Sequence, residues 1–120
     1  MGLFNSDKGV RELAAAIKRM HQEHTAGAID YQIPLSGLDD AQREVAQLVN
    51  RLVQDHIDVK MQVVDAIKQY ASGDFSQDFP RLPGRKGVIT AAMDDAKRQL
   101  SNAQAQIVEA TRVRSALDNV

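Results

Sequence analysis

Apolar residues recur along this chain at intervals of three and four, the spacing that gathers side chains on one face of an α-helix. From Val45 the row runs through Val49, Leu52, His56, Val59, Val63, Ala66 and Tyr70 with no Gly or Pro to break it. It predicts one helix from Asp40 to Ala71, about 48 Å long at the standard rise per residue. Leu48, Val53, Ile57, Val64 and Ile67 flank the row and widen its apolar face, so the register stays open and a stutter near the middle is compatible with it. A second row, Ile89, Met93, Ala96, Leu100, Ala103, Ile107, Ala110, Arg114 and Leu117, keeps the alternation of four and three to the end of the chain. Upstream, Leu13, Ile17 and Met20 mark a helix from about Gly9 to Ala26.

The rows belong to an internal repeat. Gly27, Ile29, Ile33 and Pro34 recur as Gly73, Phe75, Phe79 and Pro80, each 46 positions further on. The same displacement carries Leu13, Ile17 and Met20 onto Val59, Val63 and Ala66. Each copy therefore reads as helix, irregular connector, helix. Gly27 can take the left-handed backbone angles that close a helix, and Asp39 or Asp40 can cap the next one. The second connector runs from Ser72 to about Lys86. A displacement of 44 maps Val45, Val49 and His56 onto Ile89, Met93 and Leu100, so this connector is about two residues shorter than the first.

Connector length argues for helices that run the same way. Antiparallel neighbours need only about 2 to 8 linking residues, whereas Gly27 to Asp40 spans 14. A return to the start of a parallel neighbour must cover about 24 Å, well within reach of an extended segment of that length. These connectors are also too apolar for free loops. Ile29, Ile33, Leu35 and Leu38 in the first, and Phe75, Phe79 and Leu82 in the second, need a groove, and each is worth about 1.5 to 3 kcal/mol when buried. Two helices offer too little surface for rows this wide, so a second copy is expected to complete a four-helix bundle. The expected shared core is Leu13, Ile17, Met20, Val45, Val49, Leu52, Val59, Val63, Ile89, Met93, Leu100 and Ile107. The fold class is all-α: a parallel homodimeric coiled-coil bundle with extended connectors.

Composition supports helices, with 43% hydrophobic residues and only 4% aromatic, and without the β-branched and aromatic clusters of a sheet. A net charge of -1, with both signs interspersed along the chain, leaves no basic field for nucleic acid. The absence of cysteine removes disulfides and thiolate chemistry and fits a cytoplasmic protein. No run is long enough to insert in a membrane. Met1-Gly2-Leu3-Phe4-Asn5-Ser6 formally fits an N-myristoylation pattern, though a short tail over residues 1–9 is the expected reading.

With its two connector signatures, the chain resembles tandem HAMP domains of bacterial chemoreceptors and sensor kinases, especially the concatenated arrays of soluble aerotaxis-type receptors. The signature is a Gly, a hydrophobic residue two on, another four later and often a Pro. Gly27, Ile29, Ile33 and Pro34 carry it once, and Gly73, Phe75, Phe79 and Pro80 carry it again. The stretch from His56 through Lys60 and Met61 to Arg81-Leu82-Pro83-Gly84 resembles the junction and second unit of such arrays. An acidic residue often precedes the second helix of the family; Asp39, Asp40 or Glu44 can fill that role, whereas Arg85-Lys86-Gly87-Val88 departs from it. The resemblance implies a first unit over residues 10–58, a second over 59–100 and an output helix over 101–120. From Arg112 to Val120 the chain looks like the helix that leads into a PAS domain, which would make it a fragment. The implied function is relay of a conformational change to downstream PAS and chemoreceptor output domains, with no catalysis and no cofactor.

Other chemistry is weakly encoded. His21 and His24 lack a third ligand nearby in sequence. His56, with Asp58 after it, lacks the Pro that usually follows a phosphoacceptor histidine, and a half-buried bundle position is expected instead. Arg81, Pro83, Gly84, Arg85, Lys86 and Gly87 do not keep the order of a phosphate-binding loop and read as a solvated turn. Met20, Met61 and Met93 read as gap-filling core residues. The rival to relay is a dimerisation stalk with fixed packing, and phosphotransfer at His56 stands behind both. A stalk would do best with uninterrupted heptads, whereas this chain interrupts its heptads twice with clamping connectors.

Overall fold

The computed structural model describes residues 2–119, with side chains from residue 7 onward. The acylation pattern over residues 1–6 lies outside the described side chains. Three α-helices make up the chain, α1 (Gly2–Thr25), α2 (Asp40–Ala71) and α3 (Gly87–Asp118), with no strand among the described residues. The fold is all-α, as the periodicity predicts. The chain divides into two compact units, Met1–Val59 and Lys60–Val120, and the division falls within α2.

In the first unit, α1 starts at Gly2 rather than near Gly9. Asp7 and Lys8 face Arg11 and Glu12 one turn on, at 3.4 and 4.0 Å, which favours helix through these residues. Gly9 marks a close approach, not a start. The Gln42 amide donates to its carbonyl at 3.1 Å, and a Cβ there would sit 2.9 Å from the Gln42 nitrogen. The connector thus returns the chain to the level of Gly9, well before α1 ends. That end is a Schellman closure: Gly27 has φ 104, its N–H donates to the His24 carbonyl, and the Ala28 N–H donates to Glu23. Restart is equally explicit. The Gln42 N–H donates to Asp39 Oδ1 at 2.8 Å, and the Asp39 N–H donates to Gln42 Oε1 at 3.1 Å, a reciprocal capping box.

The core of this unit is Met20, Ile33 and Ala46, with Leu13, Ala16, Tyr31, Leu35, Leu38, Val49 and Val53 packed around it. Ala46 is fully enclosed whereas Val45 is 40% exposed. The row that α2 buries within the chain in this unit is therefore Ala46, Val49, Val53 and Ile57, which takes in two of the residues expected to flank the apolar row and leaves Val45, Leu52 and His56 exposed. The small Ala46 side chain is what admits the connector's Ile33 to the same cluster. His56 is exposed in the single chain.

The second unit repeats the scheme with different residues. Gly73 has φ 87, its N–H donates to Tyr70, and the Asp74 N–H donates to Gln69, so the last turn of α2 closes as α1 does. The core is Tyr70, Phe79 and Met93, lined by Val63, Ala66, Phe75, Leu82 and Ile89. Tyr70 and Phe75 stack at 6.0 Å between ring centroids. A single 3-10 turn, Gly84–Lys86, leads into α3 without a side-chain cap, which accounts for the missing acidic residue.

Candidate functional site

In each unit one connector residue is buried to its full depth, Ile33 at 2% exposure and Phe79 at 3%. The groups that hold these two residues form the only concentrated polar geometry common to both units among the described residues. Around Ile33 the clasp is neutral. The Ile33 N–H donates to Asn50 Oδ1 at 2.8 Å, and Asn50 Nδ2 donates back to the Ile33 carbonyl at 3.1 Å. One side-chain amide on α2 thereby satisfies both backbone groups of the anchor, which burial would otherwise orphan. Two residues earlier, His24 Nε2 donates to the Tyr31 carbonyl at 2.9 Å, and the Arg19 guanidinium lies over the Tyr31 ring at 6.0 Å.

Around Phe79 the clasp is charged. Arg81 donates to the Phe79 carbonyl through Nε and one terminal nitrogen, at 3.2 and 2.9 Å. The same guanidinium grips both oxygens of Asp94 on α3, at 2.8 and 2.5 Å, the fork geometry in which such pairs are strongest. Lys97, also on α3, reaches back to the Gln77 carbonyl at 3.0 Å and to Asp78 at 2.8 Å. Beneath them Thr90, buried on α3, donates its hydroxyl proton to the Pro80 carbonyl at 2.8 Å and accepts the Leu82 N–H at 3.0 Å.

The ion pairs leave their mark on titration. Hydrogen bonds from Arg81 hold the Asp94 carboxyl below the usual carboxylate range against the opposing effect of desolvation, with the Arg81 charge adding to the lowering. The Lys97 ammonium does the same to Asp78, and Asp94 in turn pushes the Arg81 guanidinium up. Asp74 is lowered chiefly by the Ser76 hydroxyl and N–H, which close a local turn at the start of the connector.

The displacement of 44 that aligns the second helices places Ala46 with Thr90, Val49 with Met93, Asn50 with Asp94 and Val53 with Lys97. One equivalent position therefore carries both clasps, as neutral Asn50 in the first unit and as ionic Asp94 in the second, whereas Thr90 and Lys97 stand where the first unit has apolar Ala46 and Val53. Asn50, Thr90, Asp94 and Lys97 are absent from the residues singled out by sequence. For Asn50 and Asp94 the signal that could have found them is a polar side chain beside the apolar row at the same place in both units.

Of the connector residues singled out, Ile33 and Phe79 anchor the cores, Gly27 and Gly73 close helices, and Phe75 is half-buried beside Phe79. Ile29 is 38% exposed, and Pro34 and Pro80 lie on the surface. The residues expected in a shared core divide by exposure. Met20 and Met93 are buried within the chain; Leu13, Val49, Val59, Val63 and Ile89 are half-buried; Ile17, Val45, Leu52, Leu100 and Ile107 are exposed. With Leu48, Val64, Ile67 and Leu117, the exposed members form apolar rows that nothing in the single chain covers.

Among the described residues no three His, Asp or Glu side chains are grouped as metal ligands, and no helix is long and apolar enough to cross a membrane. What the arrangement can do is mechanical: fix or release a connector, and so set the position of one helix against the next.

Comparison with known proteins gives two matches. Residues 59–101 match the family model described as HAMP N-terminal domain 3. The chain is also 41% identical, over 118 residues, to the methyl-accepting chemotaxis protein McpB of Pseudomonas aeruginosa. That alignment takes in 92% of this chain and 17% of the relative, so the chain spans a small part of that protein's length.

Proposed function

We propose, from the match of residues 59–101 to the family model described as HAMP N-terminal domain 3, that the whole chain is a signal relay in a chemotaxis receptor. In this reading it comprises two consecutive HAMP units, over residues 10–58 and 59–100, followed by an output helix over 101–120. It works as a parallel homodimer in the cytoplasm, upstream of PAS and chemoreceptor output domains. The observation that carries the reading is the repeated clamp. Twice, a connector buries one large side chain, Ile33 or Phe79, beside two helices of the same chain. The chemotaxis relative, aligned along nearly all of the chain, supports placing both units in one receptor.

Relay follows from how such a clamp works. A packed core has discrete arrangements rather than a continuum, so a displacement entering through α1 biases the packing around Ile33. α2 runs unbroken from Asp40 to Ala71 and carries that bias to residues packed around Phe79. A differential of a few kcal/mol between two packings is sufficient. The exposed rows on all three helices are where a second copy would complete the bundle.

The test places the segment between an input domain and an output domain and compares it with Ile33→Ala and Phe79→Ala variants. Each truncation is expected to cost about 2 to 5 kcal/mol of stability and to shift the output set point. A fixed stalk would lose stability in both variants while output neither followed input nor shifted its set point, and that result would refute relay.

A further inference from the structure

We infer that the second connector is an ionic-strength-sensitive latch, whereas the first, though built on the same anchor geometry, is indifferent to salt. The inference rests on the difference between the two clasps and does not depend on the relay reading. Phe79 is flanked by two charge bridges to α3, Arg81 to Asp94 and Lys97 to Asp78. One cation comes from the connector and the other from the helix, so the bridges cross-link the two elements on either side of the anchor. In the first unit every ion pair lies within α1, among the described residues, and none joins the connector to a helix. There the anchor is held by the Asn50 amide, and the two cations that reach the connector, Arg43 of α2 at the Leu38 carbonyl, 3.3 Å, and Arg19 of α1 over the Tyr31 ring, 6.0 Å, meet no carboxylate of the connector.

Salt acts unequally on these arrangements. Exposed ion pairs weaken as the screening length shrinks from about 10 Å at 0.1 M to about 3 Å at 1 M, whereas a neutral amide clasp has no net charge to screen. The Arg81 and Asp94 side chains are 62% and 38% exposed, and Asp78 is 87% exposed, so added ions reach all three. Isolated surface pairs contribute little, but a forked Arg–carboxylate pair within a four-charge network is the geometry in which they count. Buried Phe79 and Thr90 remain in place beneath them. The expected response is therefore easier local opening of the connector, not unfolding of the unit.

The experiment is amide hydrogen exchange on the intact chain at about 0.05 M and about 0.5 M NaCl, comparing residues 28–36 with residues 74–82. Protection of the second segment should fall about three- to tenfold at high salt, with the first unchanged. The Arg81→Gln, Lys97→Gln double variant should give the second connector low protection at both salt concentrations and so abolish its salt response. Equal responses in the two connectors, no response in either, or a salt response that survives in the double variant would each overturn the inference.

Discussion

Asn50 does for Ile33 what a neighbouring strand would do, accepting from its N–H and donating to its carbonyl. Asn50→Ala is expected to cost about 1 to 3 kcal/mol, because it leaves two backbone groups without partners in a half-buried site. Thermal melting by circular dichroism checks this: helical content should be kept while the midpoint falls. Ile33 and Phe79 were legible in the sequence because they recur in a fixed frame with a glycine that closes a helix and a proline that follows. Asn50 was not, since one polar residue on a helix reads as solvent face until its partner is known. Asp94 and Lys97 were hidden for the same reason, being charged residues whose partners lie 13 and 19 positions away.

At the scale of elements, α2 was readable to the residue because its ends carry strong local chemistry, a capping box at Asp39 and a Schellman closure at Gly73. The start of α1 was less readable, since Gly9 resembles a helix boundary, whereas the structure runs helix through it and uses it for a close approach of Gln42. In the first unit the chain's own connector packs on Ala46 and leaves Val45 exposed, a division of the apolar face that hydrophobicity alone does not reveal. The second connector also carries a pH dependence. Asp94 and Asp78 have lowered pKa values in the folded chain, so their ion pairs stabilise the connector fully above the ordinary carboxylate pKa of about 3.9. That contribution is lost as pH falls through the lowered values. In an NMR titration from about pH 6 to about pH 2, amide shifts of residues 77–82 should move below the ordinary carboxylate range, and those around Ile33 should not follow the same curve.

At the scale of the whole molecule, the single chain is a set of clamped helices with apolar rows still in water. Ile17, Val45, Leu48, Leu52, Val64, Ile67, Leu100, Ile107 and Leu117 are each more than a third exposed. Rows of this kind, at heptad-like spacing on long helices, are what a coiled-coil partner covers. The fold class was legible in the periodicity, because a helix reports its apolar face in sequence whether the covering surface comes from its own chain or another. Which residues each surface covers was not legible, since both kinds of contact use the same spacing. The absence of cysteine makes single-cysteine crosslinking the most direct test that a second copy runs alongside in the same direction. Leu52→Cys on α2 and Leu100→Cys on α3, introduced separately and oxidised, are both expected to link to themselves, giving a species near twice 13.2 kDa. Failure of both to link, or linking at one position only as antiparallel copies would give, would contradict the account.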